Sequence, residues 1–230
     1  TDKMLHSYSD ITTGIQKEIQ RRLHEYFCVF TERKSCIFCN STQLDTMHKE
    51  DKSIAMSYAL LKEPSNGYFI PYNILHCQQC HTFQTKYIGD LEKVYSVNHI
   101  DNFGSVKSKM HEFFASFILE NHSLINTAEI GACHDVLSRL LLQKNPRNNI
   151  HIIDPYFTGN TEGLTLVEDY IENVELSSLP VNALIMSSVF EHFYNPCSVL
   201  EQFQASQNIQ YIYLNHPQLE FAIKNDIYIN

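Results

Sequence analysis

Several ordinary features are scarce or missing in this sequence. No run of about eighteen apolar residues occurs, so nothing in it reads as a bilayer-spanning helix. The first residues lack the charged-then-apolar layout of a secretory signal, and a cytoplasmic location is the expectation. Basic residues are outnumbered, 17 Lys+Arg against 26 Asp+Glu, and the resulting net charge of -9 repels phosphate backbones. That disfavours a nucleic-acid partner. Internal repeats and low-complexity runs are missing too. So is an initiator methionine, and the chain is expected to be a trimmed or processed piece of something longer.

What is present describes a globular protein. A chain of 230 residues can bury one substantial core or two modest ones, and 43% hydrophobic residues supply the material for it. From Asp10 to about Phe30, Ile11, Ile15, Ile19, Leu23 and Phe27 recur every fourth position, which predicts an amphipathic helix that packs on something. Thr31 to His81 is polar and reads as irregular, with Pro64-Ser65-Asn66-Gly67 as a turn signal; a loop of that length needs a clamp. Ser105 to Leu119 carries a second helical stripe, Val106, Met110, Phe113, Phe114, Phe117 and Ile118, expected to be core. After it, short apolar segments alternate with helical or loop segments: Thr127 to Ile130, Ile150 to Ile153, Leu164 to Val167, Ala183 to Met186 and Ile209 to Leu214. That alternation predicts an α/β fold with a doubly wound, mostly parallel sheet.

The clamp is written into the cysteines. Seven is an odd number, and four of them form two C-x-x-C pairs, Cys36/Cys39 and Cys77/Cys80, separated by a long insertion. In a reducing compartment such pairs serve as metal ligands more readily than as disulfides. Each pair's tight turn puts two thiolates on one side of an ion, and two pairs complete a tetrahedron around Zn²⁺. Four sulfur ligands leave no open coordination position, so the zinc is expected to be structural. The plainer alternative is four reduced thiols without metal. His48, His76 and His81 lie nearby and read as solvated surface histidines rather than substitute ligands. Cys28, Cys133 and Cys197 are left as free, buried thiols.

A second group of residues lies at predicted strand ends. Thr127-Ala128-Glu129-Ile130-Gly131 reads as a strand running into a tight turn, and Gly131 would let backbone approach a ligand closely. The next strand ends in Asp154, a carboxylate suited to gripping ribose hydroxyls. Ala183 to Met186 runs into Ser187-Ser188-Val189-Phe190-Glu191-His192, which brings Glu191 and His192 to the same edge. Each has a plainer alternative: a strand-end turn for Asp154, a helix-start carboxylate for Glu191, a local hydrogen bond for His192.

In this order E-I-G, I-D-P and S-S-V-F-E-H-F-Y-N-P resemble class I S-adenosylmethionine-dependent methyltransferases. From Cys36 onward the chain is similar to the sugar C-methyltransferase family, which has an N-terminal zinc-binding lobe. The residues carrying that likeness are Cys77-Gln78-Gln79-Cys80-His81-Thr82-Phe83-Gln84, then Val94-Tyr95-Ser96, then the aromatic helix around His111 to Ile118. The resemblance implies a Rossmann-like methyltransferase domain over 101–230, C-terminally incomplete, a zinc-binding lobe over 36–100 and a helical extension over 1–35.

It further implies that Glu129, Gly131 and Ala132 line the S-adenosylmethionine site with Ser187, that Asp154 takes the ribose, and that His192 with Glu191 is the acid/base group. The implied acceptor is a nucleotide-linked deoxyketosugar, methylated at carbon after proton removal beside its carbonyl. Methylation of oxygen or nitrogen on a saccharide or small metabolite is one alternative, and a non-catalytic zinc-containing scaffold is another. The chain departs from the family at Ala132-Cys133-His134-Asp135, where further glycines are usual and where Asp135 must point away or find its own partner. Neither a membrane nor a particular oligomeric state is implied.

Overall fold

The computed structural model describes residues 30–54, 69–90, 105–121 and 126–218. The predicted helix at Asp10 to Phe30, the Pro64 turn, the Tyr95-Ser96 segment and Cys28 lie outside the described residues. The chain divides into two compact units at His99/Ile100.

The described residues of the first unit form strands and turns. A long hairpin pairs β2 (Leu44–Ile54) antiparallel with β3 (Phe69–Cys77), and β4 (Phe83–Thr85) adds to the other side of β3. A two-stranded patch joins β1 (Thr31–Glu32) to β5 (Tyr87–Ile88). This corrects the reading of Thr31 to His81 as irregular. The reason lies in β2: its sequence, LDTMHKEDKSI, has almost no apolar alternation, because most of it is solvent-facing edge strand. Charges along it are the usual protection of an unpaired edge, and register shifts between Thr46/His48 and Glu50/Ser53 bend it further.

The second unit is the predicted doubly wound sheet. Five parallel strands, β6 (Asn126–Ile130), β7 (Asn149–Ile153), β8 (Thr165–Val167), β9 (Ala183–Ser187) and β10 (Tyr211–Asn215), lie in the order β10-β9-β6-β7-β8. The chain starts at the central strand, winds outward through β7 and β8, and returns to add β9 and β10 on the other side. That Rossmann-like order creates a switch point between β6 and β9. Two helices, α1 (Ser105–Asn121) and α2 (Val136–Lys144), join one core with Ile150, Ile152, Ala183 and Ile185. A third, α3 (Pro196–Ala205), shares the opposite core with Ala128, Ile130, Leu184 and Met186 and with the short turns Ile171–Asn173 and Leu176–Ser178. Strand residues alternate between the two cores, as the period of two demands.

The stripe on α1 divides. Phe114, Ala115 and Ile118 are buried, whereas Phe113 is 76% exposed and Phe117 is 55% exposed. One helical residue turns a side chain by about 100°, so the two aromatics preceding the buried positions fall on the outer shoulder. α3 starts where the sequence permits it: Asn195 caps it by accepting the Ser198 N–H, and Pro196 occupies the first turn, where no donor is missed.

Candidate functional site

In the first unit the four cysteines of the two pairs converge, and their sulfurs lie within 4.8 Å of one another. The two C-x-x-C turns repeat one hydrogen-bond pattern. Cys36 N–H donates to the Ser41 carbonyl at 2.8 Å and Asn40 N–H to the Cys36 carbonyl at 3.0 Å; Cys77 and His81 do the same toward Thr82 and Cys77, both at 2.9 Å. In each turn the residue after the second cysteine is left-handed, Asn40 at φ 58° and His81 at φ 61°. Neither is a glycine, so the conformation is held by its surroundings. Gln84 supplies part of that hold. Buried on β4, it accepts from the Ile37 N–H at 2.8 Å and donates to the Ser35 carbonyl at 3.0 Å.

Sulfur separations of 3.4 Å (Cys36–Cys80) and 3.5 Å (Cys39–Cys77) are close to the roughly 3.8 Å edge of a tetrahedron with Zn–S bonds of about 2.3 Å. Without a cation Cys39, Cys77 and Cys80 are pulled in opposite directions. The Thr82 hydroxyl and N–H lower the Cys80 thiol to about 6, and the Cys80 N–H lowers Cys77. Cys39 is drawn down by a backbone hydrogen bond at Ser41, yet desolvation and the other three sulfurs outweigh it and push the thiol up to about 12. A divalent cation removes that conflict, because every thiolate then faces positive charge. The histidines stay apart from the sulfurs: His76 stacks between His81 and Phe83, with ring centres 5.5 and 4.6 Å away.

In the second unit, Ile130 pairs with Ile153 on one side and Met186 on the other. Gly131, Asp154 and Ser187 therefore emerge side by side at the carboxyl edge, flanking the switch point. Gly131 N–H continues the ladder to the Ile153 carbonyl at 2.9 Å. Left-handed backbone concentrates here, at Gly131 (φ 64°), Cys133 (φ 59°) and Ser188 (φ 58°). Residues held in this region cluster at functional sites.

The side chains are already engaged. Asp154 is buried, and its two oxygens accept the Cys133 and Tyr156 N–H groups, both at 2.7 Å. Glu129 is buried against α2 and accepts from the Ser138 hydroxyl; burial foremost, with Asp154 and Asp135 adding to it, raises its carboxyl to about 7. Asp135 has found its partner in Arg139, at 2.9 Å. Ala132 is half-buried against the α1/α2 core. Ser187 Oγ accepts from Asn215 at 3.4 Å. His192 is half-buried in the turn Phe190–His192, and its N–H donates to the Val189 carbonyl. Glu191 beside it is exposed as a residue, yet desolvation of its carboxyl raises its pKa against the pull of His216. Cys133 and Cys197 are half-buried and outside any disulfide, not fully buried.

Three residues escaped the sequence reading. Val189 packs its methyls where a Cβ on Gly131 would stand, 2.7 and 2.8 Å from it. Thr158 N–H donates to the Cys133 carbonyl at 3.0 Å, and the Thr158 hydroxyl lies 2.9 Å from His134 Nδ1. Arg139 donates to the Asn160 and Glu162 carbonyls as well as to Asp135. No local pattern in the sequence joins α2 to the loop before β8, so these contacts had no signature.

No family model and no curated protein matches the chain. Among solved structures it is similar to the plantazolicin methyltransferase BpumL in complex with SAH, at 14% identity and a TM-score of 0.40, over 54% of this chain and 52% of that one. It is also similar to BpumL with a pentazolic desmethylPZN analog and SAH, at 14% identity and a TM-score of 0.41, over 54% of this chain and 51% of that one. The chain thus spans about half the length of the solved structures it matches, and likeness at this level does not extend to activity. No helix among the described residues is long and apolar enough to cross a membrane.

Proposed function

We propose that the second unit is a methyltransferase module that takes S-adenosylmethionine at the carboxyl edge of β6, β7 and β9, and that the first is a lobe folded around one structural Zn²⁺. One observation supports the enzymatic reading: the left-handed turn begun by Gly131, the buried Asp154 and Ser187 stand at the carboxyl ends of β6, β7 and β9, flanking the switch point of a doubly wound sheet, where ligands of such sheets bind. When bound, the donor supplies an electrophilic methyl group. The chain's own part is to orient it through the Gly131–Ala132 turn, Ser187 and Asp154, and to move a proton at the acceptor. His192 suits that task, since an imidazole titrates near neutrality and Glu191 adjoins it.

The finer reading is methylation at carbon of a nucleotide-linked deoxyketosugar, with methylation of a saccharide oxygen or nitrogen as the competing chemistry. Calorimetry with S-adenosylhomocysteine on the zinc-loaded chain tests the donor site, and a clear binding isotherm is expected. Turnover on nucleotide sugars then separates the acceptors: a methyl ether or methylamine product removes the carbon-acid mechanism. His192→Ala is expected to keep donor binding and lower turnover.

A second reading has its own support. Val189 fills the space beside Gly131, and both Asp154 oxygens already accept backbone N–H groups. Those contacts favour a non-catalytic scaffold with a methyltransferase-like sheet. Failure to bind S-adenosylhomocysteine at millimolar concentration, with zinc retained, would establish it.

A further inference from the structure

The connection from β7 to β8 spans residues 154–164 with no helix of its own, and it doubles back over the turn that follows β6. Thr158 meets that turn through three polar contacts. Its N–H donates to the Cys133 carbonyl at 3.0 Å, its hydroxyl donates to the same carbonyl at 3.2 Å, and that hydroxyl also meets His134 Nδ1 at 2.9 Å. Next to it, Gly159 lies directly on the start of α2. A Cβ there would stand 2.6 Å from the Asp135 backbone nitrogen and 2.9 Å from its carboxylate, a fit that only glycine allows. Arg139, one turn into α2, fastens the far end through the Asn160 carbonyl at 2.6 Å and the Glu162 carbonyl, and is itself fixed by Asp135.

The loop thus covers the backbone groups at the start of α2 that a ligand at this edge of the sheet would use. Its hold is mostly polar. Tyr156, Thr158 and residues 160–163 are exposed, and only Phe157 and Leu164 lean on the core. Segments with few buried apolar contacts and solvent-exposed hydrogen bonds open locally at small cost. The far end has a natural pivot: Gly163, left-handed at φ 72°, has nothing within 4 Å of where its Cβ would be, while Pro155 keeps the near end stiff.

We propose that residues 155–163 form a strap, latched by Thr158 and Arg139, which closes the turn 131–135 and must lift before an adenosyl ligand can enter. This rests on the donor-site reading above and adds the gate. Arg139 is a positioning residue: it acts on the ligand site through the strap. Affinity measured on the closed protein is reduced by the fraction of time the strap is open.

The experiment combines S-adenosylhomocysteine calorimetry with hydrogen exchange at the Thr158 amide, on the zinc-loaded chain and on Thr158→Val and Arg139→Gln. Each variant is expected to speed Thr158 exchange about tenfold and tighten the ligand about fivefold, as release of a closed state requires. Faster exchange with unchanged affinity overturns the gate and leaves the donor site standing. Should a variant fail to fold, the wild-type chain alone decides: ligand binding must accelerate Thr158 exchange, and binding with that amide still protected overturns the strap. No binding by any form overturns the donor reading and the gate with it.

Discussion

At the scale of single residues, Gly131 has two reasons to be glycine that require no ligand: its left-handed φ of 64° and the Val189 methyls against it. Gly131→Ala is therefore expected to destabilise the chain by about 2–4 kcal/mol, combining backbone strain with overpacking. Val189→Ala in the same chain opens the space but leaves the φ, so a double-mutant cycle by urea unfolding should recover only part of the loss; full recovery would mean that strain contributes nothing. Glu129 gives a pH signature. Its folded pKa of about 7 lies above the ordinary 4.5, so its stabilising contribution is complete below about 4.5 and is lost as pH rises through about 7. Compared with Glu129→Gln, which keeps the acceptor for Ser138 and cannot ionise, the wild-type chain should lose on the order of 3 kcal/mol between pH 4 and pH 8. A stability gap independent of pH would mean that Glu129 is not buried as an acid.

At the scale of elements, what could be read from sequence divides along a physical line. The strands of the parallel sheet were legible as short apolar runs; the inner ones, covered on both faces, must be apolar nearly throughout, as Ile150-His151-Ile152-Ile153 and Ala183-Leu184-Ile185-Met186 are. The β2/β3 hairpin was not legible: β2 is ordered by its backbone ladder to β3 and leaves most side chains from Asp45 to Asp51 in water, so no burial pattern was imprinted there. The C-x-x-C turns were legible by spacing, but not their shared left-handed residue, since Asn40 and His81 carry no glycine signal. The same distinction applies at the sheet edge. Strand ends gave Gly131, Asp154 and Ser187, whereas Thr158 and Arg139 meet the turn only through a tertiary path. Gln84 connects the strand level to the metal level. With its side chain removed, the Ile37 N–H and Ser35 carbonyl lose their partner and the first C-x-x-C turn loosens. Gln84→Ala is expected to weaken zinc binding about 10- to 100-fold, read by competition with a chromogenic chelator. An unchanged zinc affinity would mean that the turn is held by its own hydrogen bonds alone.

At the scale of the molecule, the two units differ in what makes them stable. The second has two extensive cores, one on each face of its sheet, formed from β6, β7 and β9 together with the three helices. Among the described residues of the first unit, the buried hydrophobic positions are Cys36, Ile74, Leu75 and Cys77, and two of these four belong to the cysteine cluster. The described strands of this unit thus bury few apolar side chains besides the cysteines, and a structural metal is a usual supplement to so small a cluster. Zinc bound to four thiolates contributes its binding free energy as folding free energy, because the unfolded chain offers no preformed site. Chelation should therefore act unevenly along the chain. Amides of β3 and β4, with those of the two C-x-x-C turns, are expected to lose hydrogen-exchange protection when zinc is stripped. Amides of β6, β7 and β9 should keep theirs, since no atom of their cores is a metal ligand. Restoring one equivalent of Zn²⁺ should return the lost protection, whereas Mg²⁺, which prefers oxygen ligands, should not. If stripping the metal left β3 and β4 protected, the four sulfurs would be a packed thiol cluster and these strands would be held without a metal.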